Sequence, residues 1–263
     1  MEKHSYALIT GATGGLGRAF VFTLAKQGYK LILTGRSMEK LMALREEVQR
    51  LYTCADVRIF AADLSNGDSR YAFMQAIDGL KIGLLVNVAG VDIQKPFVQY
   101  TREKIAFQCR VNLEAAMDMC HFALRHKAET LEIINVSSVS GIYPMPYFAI
   151  YSATKGALTS FSLALREECK KENVRVTAVL PGAMPTRADI CQQIKGQGLW
   201  GKLAAKSPEW VAEKSLQAVR KNKRKYIPGF WNKVMRIGTA ILPLSWKLRF
   251  IAKRWGKISK DSF

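Results

Sequence analysis

Apolar residues come in short runs broken by glycine or polar turns, and the runs alternate with longer stretches of helical spacing. Ala7, Leu8 and Ile9 are too few for a helix and suit a buried strand, and similar runs recur at residues 30–35, 57–63, 82–90, 131–138 and 174–182, with a short one at 225–228. Between them, apolar positions at helical spacing predict helices over 16–26, 37–52, 69–79, 101–126, 151–171 and 208–221. Strict alternation of this kind predicts an α/β fold: one Rossmann-like, doubly wound parallel sheet with helices on both faces and right-handed crossovers. Ligands of such a sheet collect at the carboxyl ends of its strands. Those ends are the polar or glycine-rich places here: Gly35-Arg36-Ser37, Asp63-Leu64, Asn87-Val88-Ala89-Gly90, Ser137-Ser138 and Pro181-Gly182.

The first strand runs into Thr10-Gly11-Ala12-Thr13-Gly14-Gly15-Leu16-Gly17, a turn that opens a helix. Glycines there let the backbone approach a phosphate, and the helix start offers unpaired N–H groups and a positive dipole. The spacing G-x-x-x-G-x-G differs from the commoner G-x-G-x-x-G fingerprint, so by itself the turn reads equally well as punctuation between strand and helix.

Composition narrows the class. The 263 residues, 49% hydrophobic and 23% charged, suffice for one large core. Five widely spaced cysteines (Cys54, Cys109, Cys120, Cys169, Cys191) without a C-x-x-C pair argue against a disulfide framework and for a reducing compartment. His4, His121 and His126 are too scattered for a metal cluster, so no metal site is expected. The N-terminus enters the first strand without a secretory signal, and the longest uncharged apolar stretch of the tail, 237–246, is interrupted by Pro243 and falls short of the ~20 residues of a membrane span. A cytoplasmic location is expected.

The segment 134–161 carries the densest chemistry. Tyr151 and Lys155 are four apart on a predicted helix, hence on one face, and Ser138 closes the strand before it. Tyrosine, with a reference pKa of about 10, is a poor acid or base near neutrality. A neighbouring ammonium favours the phenolate and makes the group usable.

With Thr10-Gly11-x-x-x-Gly15-x-Gly17, Asn87-x-Ala89-Gly90, Asn112, Ser138, Tyr151-x-x-x-Lys155 and Pro181-Gly182 in this order, the chain resembles the short-chain dehydrogenase/reductase family over residues 5–228. The resemblance implies hydride transfer between a nicotinamide and a ketone or secondary alcohol. Tyr151 would act as the acid, Ser138 would bond the same oxygen, Lys155 would tune the phenol and bond the nicotinamide ribose, and Asn112 would hold a relay water. It also implies cofactor contacts from Gly11, Thr13, Gly14, Gly15, Leu16, Gly17, Asn87, Ala89, Gly90, Tyr151, Lys155, Pro181 and Gly182, with Asp63 and Leu64 flanking the adenine and Thr186 reaching the carboxamide. A homo-oligomer, dimer or tetramer, is a further implication. The sequence departs from the family pattern at Val88, where a second asparagine is usual.

The second strand ends in Thr34-Gly35-Arg36-Ser37 with no acid before Glu39, so Arg36 is free to pair with a 2′-phosphate and NADP(H) is expected. The other reading stacks Arg36 on the adenine and accepts either cofactor. Residues 183–207 stand where the family carries its substrate lid. Met184, Ile190, Ile194, Leu199 and Trp200 suit a small apolar carbonyl or alcohol substrate such as a steroid, acyl or lipid-like ketone. A non-catalytic NADP(H) sensor whose tail engages a membrane or partner is the alternative function.

Residues 1–228 read as the catalytic domain and 229–263 as a basic extension. Residues 221–263 hold twelve Lys or Arg against a single acid, Asp261. After Pro243, Leu244, Leu248, Ile251 and Trp255 form one apolar stripe, with Lys247, Arg249, Lys253 and Arg254 elsewhere on the wheel. Such a helix suits an anionic membrane surface, which would make the protein peripheral to membranes. Packing of the stripe on its own domain or a sister subunit is the other reading. No nucleic-acid partner is expected, because no binding module accompanies the charge.

Overall fold

A computed structural model describes residues 5–53, 55–186, 205–240 and 242–256. Its centre is a seven-stranded parallel sheet in the order β3-β2-β1-β4-β5-β6-β7. The strands are β1 (Tyr6–Thr10), β2 (Lys30–Gly35), β3 (Val57–Ala61), β4 (Ile82–Asn87), β5 (Lys127–Val136), β6 (Val174–Val179) and β7 (Lys225–Tyr226). Every residue of β1 is buried, as expected for a strand covered on both faces. Its side chains alternate between two cores: Ala7 and Ile9 join the first, Tyr6 and Leu8 the second. The chain builds outward from β1 through β2 to β3, then returns to place β4 on the other side. That reversal leaves a crevice beyond the carboxyl ends of β1 and β4.

The helices are α1 (Gly15–Lys26), α2 (Met38–Leu51), α3 (Gly67–Ala76), α4 (Arg102–Cys109), α5 (Ala115–Arg125), α6 (Ala149–Glu168), α7 (Pro208–Arg220), α8 (Phe230–Ala240) and α9 (Leu244–Trp255). Ser37, Asn66, Thr101 and Ser207 cap α2, α3, α4 and α7 through their side chains, and each of these helices has an acid in its first turn. α1 has neither: Gly14 stands at its N-cap and no acid follows. The orphan N–H groups and positive end of α1 therefore stand uncompensated at the crevice.

Three expectations change. The helix expected over 101–126 is divided by a π-turn, Arg110–Glu114, whose centre is Asn112. The strand expected over 131–138 starts earlier, at Lys127, and stops at Val136, because Ser137 and Ser138 turn their hydroxyls to helical partners: Ser137 Oγ donates to Lys155 O, and Ser138 Oγ caps the 3-10 turn Val139–Gly141. In the tail, α9 follows Pro243 as expected, but its stripe is divided: Leu244 is exposed, whereas Leu248, Ile251 and Trp255 are half-buried, and Trp255 packs edge-on against Phe148. Within the expected lid, Met184 packs on the first core, whereas Ile190, Ile194, Leu199 and Trp200, with Cys54, Cys191 and His4, lie outside the described residues.

Candidate active site

The glycine-rich turn is shaped by close approach. Gly11 has φ +63°, and a Cβ there would stand 2.8 Å from Ala89 Cα, so only glycine lets the loops after β1 and β4 meet. A Cβ on Gly17 would stand 2.1 Å from Gly11 O. At Gly14 the nearest atom lies at 3.4 Å, so this glycine leaves the crevice side open. Thr10 Oγ1 accepts from Val88 N (3.1 Å) and Ala89 N (3.3 Å) and ties the two strand ends together. Thr186 closes on the helix start, its side chain 2.7 Å from where a Gly15 Cβ would be. Leu16 is buried in the first core and offers the crevice only its backbone.

Beyond β2, Arg36 is exposed and has no partner among the described residues, while Thr13 Oγ1 lies 3.3 Å from the Cβ position of neighbouring Gly35. Beyond β3, Asp63 Oδ1 accepts from Ser65 N (2.9 Å) and Ser65 Oγ (2.7 Å). Leu64 is buried and its carbonyl accepts from Arg70 Nη1 (2.8 Å). Arg70 is itself buried and paired with Asp118 and Glu114 of α5 and the π-turn, so the loop is tied to the sheet's helical cover.

The chemical cluster sits at the ends of β4 and β5. Lys155 is buried, and its Nζ donates to Val136 O (2.9 Å) and lies 5.9 Å from the centre of the Tyr151 ring, one helical turn away on α6. Burial pushes the ammonium down to about 8, and the Asp92 carboxylate partly opposes the shift. Where a Gly90 side chain would begin, Lys155 Nζ is 3.1 Å away and Asn112 Oδ1 3.3 Å, so the loop after β4 passes directly over both. Ser138 Oγ accepts from Ser140 N (3.1 Å), which leaves its hydroxyl proton for an acceptor in the cleft.

Two of the expected site residues have side chains committed to protein partners. The Asn112 side chain is committed to protein: Nδ2 donates to Val91 O (2.9 Å) and Thr154 Oγ1 (3.2 Å), and Oδ1 accepts from Val91 N (2.7 Å). Any water held at this position must use its main chain, in a π-turn, which is where carbonyl register is altered. Asn87 Nδ2 donates to Asn135 Oδ1 (2.9 Å) and Ala116 O (3.2 Å), so this side chain braces β4 to β5 and α5 and turns from the crevice. Pro181 is buried, and Val139 N donates to its carbonyl. Gly182 lies against Asn232 of α8, 2.9 Å from its Cβ position. Asp92, Thr154 and Asn135 were not singled out from sequence; Thr154 and Asn135 stand inside the quoted motifs, and Asp92 follows Gly90 by two residues.

Glycines that admit a backbone to the crevice, an uncapped α1, an unpartnered Arg36 and the Thr186 side chain over Gly15 together fit a phosphorylated dinucleotide. The fold and cluster define a doubly wound α/β protein of the dinucleotide-binding type with a tyrosine one helical turn from a buried lysine. Residues 5–194 match the family model for short chain dehydrogenases, and the chain belongs to that family. It is 33% identical over 185 residues to human (Homo sapiens) 17-beta-hydroxysteroid dehydrogenase type 3, covering 69% of this chain and 59% of that protein. It is 34% identical over 188 residues to the very-long-chain 3-oxoacyl-CoA reductase of Bos taurus, covering 69% and 60%. The chain thus spans under two thirds of the length of these relatives. Among solved structures, one reported for 7beta-hydroxysteroid dehydrogenase stereoselectivity is similar with a TM-score of 0.87 at 26% identity, covering 94% of this chain and 96% of that one. A short-chain dehydrogenase from Sphingobium yanoikuyae in complex with NADPH has a TM-score of 0.74 at 26% identity, covering 91% and 96%.

Proposed function

We propose that this protein is an NADP(H)-dependent oxidoreductase that interconverts a ketone and a secondary alcohol on an apolar, steroid- or acyl-like substrate. The observation that carries the reading is Lys155, a buried ammonium one turn from Tyr151 and joined to Val136, the end of the strand that leads to Ser138. A lysine is costly to bury, and a charge that favours a phenolate is a function that repays the cost. Tyr151 gives a proton to the substrate oxygen, and the Ser138 hydroxyl donates to that same atom as negative charge develops on it. Lys155 holds the phenol at a usable pKa. The reduced nicotinamide, when bound, supplies the hydride. Gly11, Gly14, Gly15 and Gly17 would bring backbone to its phosphates, Arg36 and Thr13 would take the 2′-phosphate, Asp63 and Leu64 the adenine end, and Ala89, Gly90, Pro181, Gly182 and Thr186 the nicotinamide end.

The substrate class is supported by relatives named for steroid and 3-oxoacyl-CoA chemistry, and the cofactor by a neighbour solved with NADPH and by the lone Arg36. The test is loss of reduced-nicotinamide absorbance over steroid ketones and 3-oxoacyl thioesters, with NADPH and NADH, for the wild type and Arg36→Ala. At least one apolar ketone should be reduced with NADPH. Arg36→Ala should raise KM for NADPH roughly tenfold while leaving NADH nearly unchanged, because only the phosphorylated cofactor loses a charge-assisted pair. Equal losses with both cofactors would exclude the NADP(H) assignment, and no turnover of either substrate type would exclude the substrate class.

A further inference from the structure

The large apolar side chains that stand in solvent concentrate on α8 and α9. Phe230, Val234 and Ile237 follow i, i+4, i+7 spacing on α8, and Trp246 and Phe250 follow i, i+4 on α9, with Leu242 between the helices and Leu244 at the start of α9. Phe230, Ile237, Trp246 and Phe250 are each about two-thirds exposed (69%, 67%, 64% and 67%), an exposure that isolated surface residues of this size seldom reach together.

The opposite faces of both helices are fastened to the domain. Asn232 is buried beneath Gly182 and donates to Pro228 O (2.7 Å). The Tyr143 hydroxyl donates to Arg236 O (3.1 Å) and lies 2.7 Å from Thr239 Oγ1, and Lys247 Nζ sits over the same ring at 5.0 Å. Trp255 packs edge-on against Phe148, and Gln94 Nε2 donates to its carbonyl (3.2 Å). Since one loop, 143–148, receives both helices, their free faces both turn away from the domain.

Charge chooses the occupant. Lys233, Arg236, Arg249 and Lys253 are exposed among these apolar side chains, and residues 230–256 contain no Asp or Glu. A second copy related by a two-fold axis would set basic residues against basic residues. An anionic lipid surface meets both the charge and the interfacial Trp and Phe. No described helix is long and apolar enough to cross a membrane. We infer that α8 and α9 form a platform that rests on an anionic bilayer surface, with Phe230, Ile237, Trp246 and Phe250 among the headgroups. The face is therefore not the Leu248, Ile251 and Trp255 stripe but the side of α9 turned from it.

The experiment is sedimentation of the full chain with phosphatidylcholine vesicles, with and without phosphatidylserine. The wild type should pellet with phosphatidylserine at low salt, stay in solution with phosphatidylcholine alone, and be released by added salt, since each basic side chain near the surface strengthens binding roughly fivefold and is screened. Trp246→Ser with Phe250→Ser should weaken binding by on the order of a hundredfold with an unchanged melting temperature. Arg249→Glu with Lys253→Glu should abolish the phosphatidylserine dependence independently of the apolar pair. A wild type that stays in the supernatant with phosphatidylserine at low salt overturns the inference. So does light scattering in which the Trp246 and Phe250 pair of substitutions turns a dimer into a monomer, which would give the face to a second copy.

Discussion

The Lys155 ammonium is withdrawn from water on α6 and held by the carbonyl of Val136. Burial lowers its pKa from 10.5 to about 8, so between these values the native state binds fewer protons than the unfolded chain. Stability from this group therefore rises with pH through that window, and below about 8 the full cost of burying the charge is present. Lys155→Met removes the charge and keeps most of the volume. Urea unfolding should find the variant more stable than the wild type near neutral pH, by up to about 3 kcal/mol, with the gap closing towards pH ~10. A gap that stays constant with pH would mean that the ammonium is not desolvated in the native state. The same substitution removes the charge on which Tyr151 depends, so the more stable protein should be the inactive one.

Elements were legible where their period is strong and local. Strands β1, β2, β4 and β6 and helices α1, α2 and α7 fall within a few residues of the hydrophobic pattern, because each is specified by its own buried face. The π-turn was not, since one extra residue in a single turn barely shifts an apolar stripe, and the bonds that its Asn112 makes to Val91 are tertiary. The face of α9 was hidden for a related reason: the helix is apolar on two sides, and which side docks is decided by Phe148, Tyr143 and Gln94, about a hundred residues or more away in sequence. Of the candidate site, Ser138, Tyr151, Lys155 and the glycine turn were readable as residue types with a reason to be there. The side-chain directions of Asn87 and Asn112 were not, because both amides satisfy partners that only the folded sheet supplies. The β1–α1 turn gives the sharpest element-scale contrast. Gly17→Ala drives a Cβ into Gly11 O and should destabilise the fold by about 1–3 kcal/mol in chemical unfolding, whereas Gly14→Ala should unfold like the wild type. Equal stability of the two variants would show that the turn has room it is not credited with here.

At the scale of the whole molecule, the sheet reversal at β1 and β4 gathers loops from six strands, β1 to β6, to one edge, and α8 and α9 close over the loop that leads into Tyr151. Arg36 and the open end of α1 lie on the β2 side of that edge, and Ser138, Tyr151 and Lys155 at the β5 side, so the crevice runs from an exposed guanidinium and an uncapped helix end to the tyrosine. The proposed function requires Tyr151 to deliver a proton at that far end. The direct measurement pairs two readouts on Tyr151→Phe: NADPH affinity by fluorescence titration, and turnover of an apolar ketone that the wild type reduces. The phenylalanine keeps the ring but has no proton to give, so affinity should stay within about threefold while turnover falls by roughly a thousandfold or more. Turnover close to that of the wild type, with NADPH binding intact, would contradict the account and assign the proton to another residue.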